Sequence, residues 1–156
     1  MQRVMEICAE AVKDVAMVVL IMGGAGGLKQ ILIDSGVSTE IAGLLESLSM
    51  NPLVLGWLMA CLIRVAVGSA TVAGLTAAGI VAPLVVAHPE IRPELMVLAV
   101  GSGSLMFSHV NDAGFWLFKE YFNLSIRDTI RSWSLMETIV SVCGLAGVLA
   151  LNAMLP

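Results

Sequence analysis

Charge is what this sequence has least of. Charged residues fill 13% of its 156 positions, against roughly 25% in an ordinary soluble domain. Its eight Lys and Arg are scattered and the net charge is −4, which excludes the basic footprint of a nucleic-acid-binding surface. Cysteine is also sparse. Cys8, Cys61 and Cys143 lie far apart, are odd in number and form no CxxC pair, so neither a disulfide framework nor a zinc site is expected; they read as small apolar packing residues. The patterns GxSxG, HExxH and Walker A are missing as well, which argues against a hydrolase and against an ATP-driven pump. An intramembrane hydrolase would have to pair Ser69, Ser102 or Ser104 with His109. No catalytic residue, cofactor or metal is expected.

What fills the chain is apolar surface: 58% of residues are hydrophobic and the mean hydropathy is +0.95. These residues come in long blocks rather than in the half-polar stripes of surface helices. The expected class is an all-α integral membrane protein, a single membrane domain over 1–156. Met1 to Asp14 mixes charges of both signs with apolar residues, unlike a signal-peptide n-region, and no A-x-A-like site closes the next apolar run. The first span, 12–33, is therefore expected to stay in the protein. It contains Gly23, Gly24, Gly26 and Gly27, which permit close helix packing or local unwinding.

Residues 37–50 place Val37, Ile41, Leu44, Leu45 and Leu48 at helical spacing, with Glu40 and Glu46 between them, and predict an amphipathic helix in the interface. After the Asn51-Pro52 start signal, 52–87 divides into two apolar arms around Gly68-Ser69-Ala70-Thr71. Each arm is about 15 residues, short of the ~20 that a spanning helix needs, so a re-entrant hairpin is expected; one full span followed by a kinked one is the alternative. Residues 94–118 carry Gly101-Ser102-Gly103-Ser104 and then Ser108-His109-Val110-Asn111-Asp112. Lipid cannot satisfy freed backbone groups, so this reads as a broken span buried in protein or lining a wet cavity. Lys119 to Arg131 reads as a charged loop, and 132–155 as a final span whose one charge is Glu137. With the N-terminus inside, Arg3, Lys13, Lys119, Arg127 and Arg131 are cytoplasmic, which favours a periplasmic C-terminus in an inner (plasma) membrane protein.

Three stretches carry a family resemblance: Met22 to Lys29 (MGGAGGLK), Ile63 to Ala73 (IRVAVGSATVA), and Ser108 to Trp116 (SHVNDAGFW). In these the chain resembles the gluconate permease family of gluconate:proton symporters, within a wider superfamily of ion-coupled carboxylate transporters. The resemblance implies a fold of two inverted repeats, of which 156 residues amount to about one, the C-terminal. It implies a small carboxylate substrate, gluconate or a related sugar acid, and protons as the coupling ion. A missing N-terminal repeat or a second copy would complete the site. A non-transporting membrane fragment, or a transporter of another small carboxylate, is the competing reading. In the superfamily the hairpin tip carries a Ser-Asn-Thr type motif that contacts the substrate. Gly68-Ser69-Ala70-Thr71 resembles it, except that Ala70 stands where the amide would, which suits a proton-coupled rather than a sodium-coupled member. The broken helix of the superfamily likewise resembles Val100 to Phe115.

Arg64, the only charge between Leu53 and Ala87, is costly to bury and needs a partner. A substrate carboxylate, an ion pair with Asp112 and snorkelling to the interface are its three readings. Gly68, Ser69 and Thr71 at the tip, with Ser102, Ser104 and Asn111, are the other candidate substrate contacts; the serines and threonine could instead bond their own helices. Asp112, then His109, are candidates for carrying the coupling proton, although Asp112 could simply cap a helix that starts at Ala113. Trp57, Trp116 and Trp133 are expected to anchor at the interfaces, and the ten Met to fill apolar space.

Overall fold

A computed structural model describes residues 50–87 and 91–155, together with 3–6, 8, 9, 12, 16, 20, 30, 31 and 34–36. The expected span over 12–33, its glycine cluster and the interfacial helix over 37–50 lie almost wholly outside the described residues.

Helix α1, Pro52–Val67, starts where the sequence places its signals: Asn51 Oδ1 accepts from the Leu53 N–H at 2.9 Å, and Pro52 sits where no donor is needed. It stops at Gly68, whose φ of 73° is left-handed and whose N–H donates to Arg64 O at 2.8 Å. Ser69 then opens α2, Ala70–Ala87, its Oγ accepting from the Val72 N–H at 3.4 Å. The two helices fold back on each other through Gly68 and Ser69.

Helix α3, Pro93–Gly103, gives way to a break over Ser104–Asp112, where Phe107 takes φ 39°. Asp112 caps the next helix, α4, Ala113–Tyr121, by accepting from the Gly114 N–H at 2.9 Å. The expected charged loop from Lys119 to Arg131 is much shorter. Helix α4 runs through Lys119, and Ser125 Oγ accepts from the Asp128 N–H at 3.2 Å to start α5, Ile126–Thr129. Hydroxyl capping, not net charge, decides where that helix begins. A π-helical turn, Ile130–Ser134, leads into α6, Leu135–Met154. From Ile126 to Met154 the helix is continuous over 29 residues, ~43 Å at 1.5 Å per residue, enough to cross a ~30 Å hydrocarbon layer.

Helix α1 is central and packs against α2, α3 and α6. Its Leu53, Met59, Ala60, Ile63 and Val67 meet Ala73, Ala77 and Val81 of α2 and Leu95, Met96, Ala99 and Val100 of α3 in one buried cluster. Small residues let the backbones approach: a Cβ on Gly103 would collide with Trp57 O, and one on Gly144 with Ser102. The outer face of α6 is the opposite. Leu135, Met136, Ile139, Val140 and Leu151 are exposed there, a continuous apolar surface that water penalises and hydrocarbon does not.

Candidate functional site

Three charged side chains converge where α1 ends, α3 breaks and α6 begins. Arg64, one turn before the end of α1, is buried, with 3% of its side chain exposed. Its Nη2 donates to Asp112 Oδ2 at 2.6 Å and to Glu137 Oε2 at 3.2 Å. The two carboxylates come from different elements, and both are mostly buried (15% and 14% exposed). A guanidinium so placed is affordable only with such partners. Even so, its Nε and Nη1 are buried without a hydrogen-bond partner among the described residues.

Asp112 is held from several sides. Besides Arg64 and the Gly114 N–H, it accepts from Ser108 Oγ. Ser108 in turn accepts from Trp133 Nε1 at 2.9 Å, and its carbonyl takes the Ser134 hydroxyl. Ser134 closes the π-helical turn, and π-turns re-aim the residues that follow; Ser134, Glu137 and Ser141 then share one face of α6. On that face Ser141 Oγ and O accept from Trp57 Nε1, each at 3.2 Å, while Cys61 Sγ lies 4.0 Å from Ser141 Oγ. Trp57 meeting Ser141 while Arg64 meets Glu137 sets α1 antiparallel to α6.

The remaining candidates divide. Asn111 Nδ2 donates to Val65 O at 2.9 Å and Ala66 O at 3.2 Å, closing the end of α1, while its Oδ1 is buried and unpartnered among the described residues. His109 Nε2 lies 3.0 Å from Val65 O. What approaches Gly68 closely is the backbone and side chain of Asn111. Ser69 caps α2, and Thr71 is exposed on the first turn of that helix. Ser102 and Ser104 donate to Ala99 O at 2.9 Å and Gly101 O at 2.7 Å, bonds to their own helix. No serine meets His109 among the described residues, so a Ser–His pair is not assembled there.

Arg64, Asn111, Asp112 and His109 thus come together around the end of α1, and Ser102 and Ser104 stand apart from that group. The ion pair with Asp112 is one of the readings the sequence offers for Arg64, and the cap on α4 is one it offers for Asp112; both hold at once. Each tryptophan has a protein acceptor for its indole N–H: Trp57 donates across to Ser141, Trp133 to Ser108 in the break, and Trp116 Nε1 to Val110 O at 2.7 Å.

Glu137 is the residue that sequence reasoning passed over, along with Ser108, Ser134 and Ser141, which bond Asp112, the break and Trp57. The signal was available: Glu137 is the only charge in 132–155, and an ionisable group inside an apolar span marks a site by default. Its face, shared with Ser134 and Ser141, is also the polar one.

An all-helical body with an apolar outer face, and a charge cluster gathered at a helix end and a helix break, defines a helical membrane protein with its polar site inside. The chain belongs to the GntP permease family: the family model described as GntP family permease matches residues 1–155. That family is one of multi-pass membrane proteins. The chain is 55% identical over 152 residues to a high-affinity gluconate transporter of Escherichia coli K12, covering 97% of this chain and 34% of that protein. It is 50% identical to the Gnt-II system L-idonate transporter of the same strain, over 99% of this chain and 35% of that one. Against a gluconate permease of Bacillus subtilis 168 the identity is 48%, over 96% and 33%. The chain therefore spans about a third of the length of these curated relatives. No solved structure matches it.

Proposed function

We propose that the chain supplies the C-terminal part of a secondary active transporter for gluconate or a related sugar acid, working by proton symport in the plasma membrane. The observation that carries this reading is Arg64. It is a buried cation with two unfilled donor nitrogens, suited to a carboxylate that arrives and leaves. Gluconate and idonate, in the names of the similar proteins, are both polyhydroxylated monocarboxylates. The substrate carboxylate meets Arg64. Asn111 Oδ1, without a partner among the described residues, faces its hydroxyls together with Ser69 and Thr71 at the hairpin tip. The coupling proton resides in the cluster of Arg64, Asp112 and Glu137, with His109 at its edge.

In this reading residues 52–87 are a re-entrant hairpin and 94–118 a broken span. The N-terminus is cytoplasmic and the C-terminus periplasmic. The site is completed by an N-terminal repeat or by a second copy, because such sites form between repeats.

The test is a chimera in which residues 1–155 replace the matching third of the Escherichia coli high-affinity gluconate transporter. Labelled gluconate uptake is expected from the chimera and none from the chain alone. A chimera that reaches the membrane yet takes up no sugar acid would sink the reading.

A further inference from the structure

We infer that Glu137, rather than Asp112, is the group that takes the proton, and that it does so as it gives up Arg64 to an incoming carboxylate. This rests on the reading above for the identity of that carboxylate, but the choice between the two acids rests on their surroundings.

Asp112 is fully engaged as an anion. Its Oδ2 accepts from Arg64 Nη2 and from Ser108 Oγ, and its Oδ1 accepts from the Gly114 N–H at the head of α4. All three partners are donors, and between them they occupy both carboxylate oxygens. Ser108 is itself fixed by Trp133 Nε1. A proton on Asp112 Oδ2 would have to displace one of the donors from Arg64 and Ser108 already seated there.

Glu137 has one contact, the 3.2 Å bond from Arg64 Nη2 to Oε2, and Oε1 has no partner among the described residues. The two acids are equally exposed, at 14% and 15%, so it is their hydrogen bonding that separates them. Losing the one hydrogen bond of Glu137 leaves Arg64 paired with Asp112 at 2.6 Å and frees an Nη2 N–H for the incoming carboxylate.

Charge conservation then links proton to substrate. One guanidinium and two carboxylates carry a net negative charge, and a further carboxylate in this low-dielectric place would raise it again. A proton on Glu137 cancels the increment and frees part of Arg64 for the newcomer. The bond formed is O–H on Glu137, the bond lost is its hydrogen bond from Arg64, and no redox partner is involved. Proton and carboxylate therefore bind together and leave together, the thermodynamic condition for symport.

Other ionisable groups near this point do not offer the same exchange. On α1, Cys61 lies beside Ser141, and in the break His109 is seated on Val65 O. Glu94 is in the first turn of α3, far along that helix from Ser102, which meets Gly144. Lys119 and Glu120 pair with each other at 2.7 Å, and Arg127, Asp128 and Arg131 are exposed.

Infrared difference titration of the chain in lipid vesicles tests this, reading the C=O band of protonated carboxyl groups in wild type, Glu137→Gln, Glu137→Asp and Asp112→Asn. Loss of one protonated carboxyl per chain is expected in Glu137→Gln, with retention in Glu137→Asp and in Asp112→Asn. If Asp112→Asn does not fold, Ser108→Ala takes its place, with the same retention expected. A band missing in Asp112→Asn or altered in Ser108→Ala, but intact in Glu137→Gln, overturns the inference. The same titration is then run with gluconate in the chimera. Gluconate should raise the pH at which the Glu137 band appears. A Glu137 band that gluconate leaves unmoved keeps the acid assignment and overturns the sugar-acid reading and the coupling built on it.

Discussion

The side chain that Gly68 lacks would stand inside Asn111. Gly68 ends α1 with φ 73°, and a Cβ there would collide with the carbonyl oxygen and the side chain of Asn111. Asn111 meanwhile donates to Val65 O and Ala66 O. The end of α1 and the helix break are thus clasped by the Asn111 side chain on the α1 carbonyls, and Arg64 and Asp112 meet beside that clasp.

Gly68→Ala should therefore destabilise the protein by about 1–3 kcal/mol from the left-handed backbone alone, and by more once Asn111 is displaced. Gly79→Ala is the control: Gly79 lies within α2 and a Cβ there meets nothing within 4 Å, so a change near zero, or a gain of about 0.5–1 kcal/mol from helix propensity, is expected. Thermal unfolding in detergent, followed by circular dichroism, compares the two. Equal melting temperatures would show that the clasp does not hold the tip.

Ser108→Ala should cost about 1–3 kcal/mol, because it leaves Trp133 Nε1 without its acceptor and removes a donor from Asp112. Tryptophan fluorescence reports both the stability and the environment of Trp133. A variant with unchanged melting and an unchanged spectrum would remove Ser108 from the network.

Much of this arrangement is legible in the sequence, for identifiable reasons. Asn51-Pro52 and Gly68-Ser69 are strong local signals, and a polar string such as Ser108 to Asp112 inside an apolar block can only be a break. The end of the charged loop was not legible, because Ser125 acts through one cap hydrogen bond that any surface serine could equally forgo. The partners of Arg64 were only half legible. Asp112 stood out in a polar string, whereas Glu137 lies in a uniform apolar helix and is brought to Arg64 by antiparallel packing across 73 positions. The partners of the tryptophans were not legible for the same reason: Ser141 and Ser108 are acceptors that only the fold brings near Trp57 and Trp133.

Topology is checked by cysteine labelling in a background with Cys8, Cys61 and Cys143 replaced by alanine. Cysteines at Pro89 and Asn152 should react from outside the cell, and one at Arg127 only after permeabilisation. The inside excess of Lys and Arg and a single crossing by 94–118 both demand this. Labelling of Pro89 and Arg127 from the same side would rule out 94–118 as a broken span that crosses.

Substrate holding and proton coupling should separate between Arg64 and Glu137 when transport is measured in the chimera. Arg64→Lys keeps the charge but loses the planar fork. A lost charge-assisted hydrogen bond of about 1.5–3 kcal/mol means gluconate affinity lower by about ten- to a hundredfold. Glu137 still titrates in that variant, so uphill accumulation at saturating gluconate should survive. Glu137→Gln keeps the size of the side chain and an oxygen facing Arg64 but cannot gain or lose a proton. Exchange of labelled for unlabelled gluconate should then persist at near wild-type affinity, while accumulation against a gradient disappears and the pH dependence of binding flattens. Arg64→Ala is the limiting case: it leaves Asp112 and Glu137 partly buried with no cation between them, a loss of about 3–5 kcal/mol for a broken buried pair, and should be recovered in poor yield. If Arg64→Lys and Glu137→Gln both fail to fold, and exchanging the two residues restores folding without binding, the pair is structural. The carboxylate site must then be sought at Asn111 and the hairpin tip.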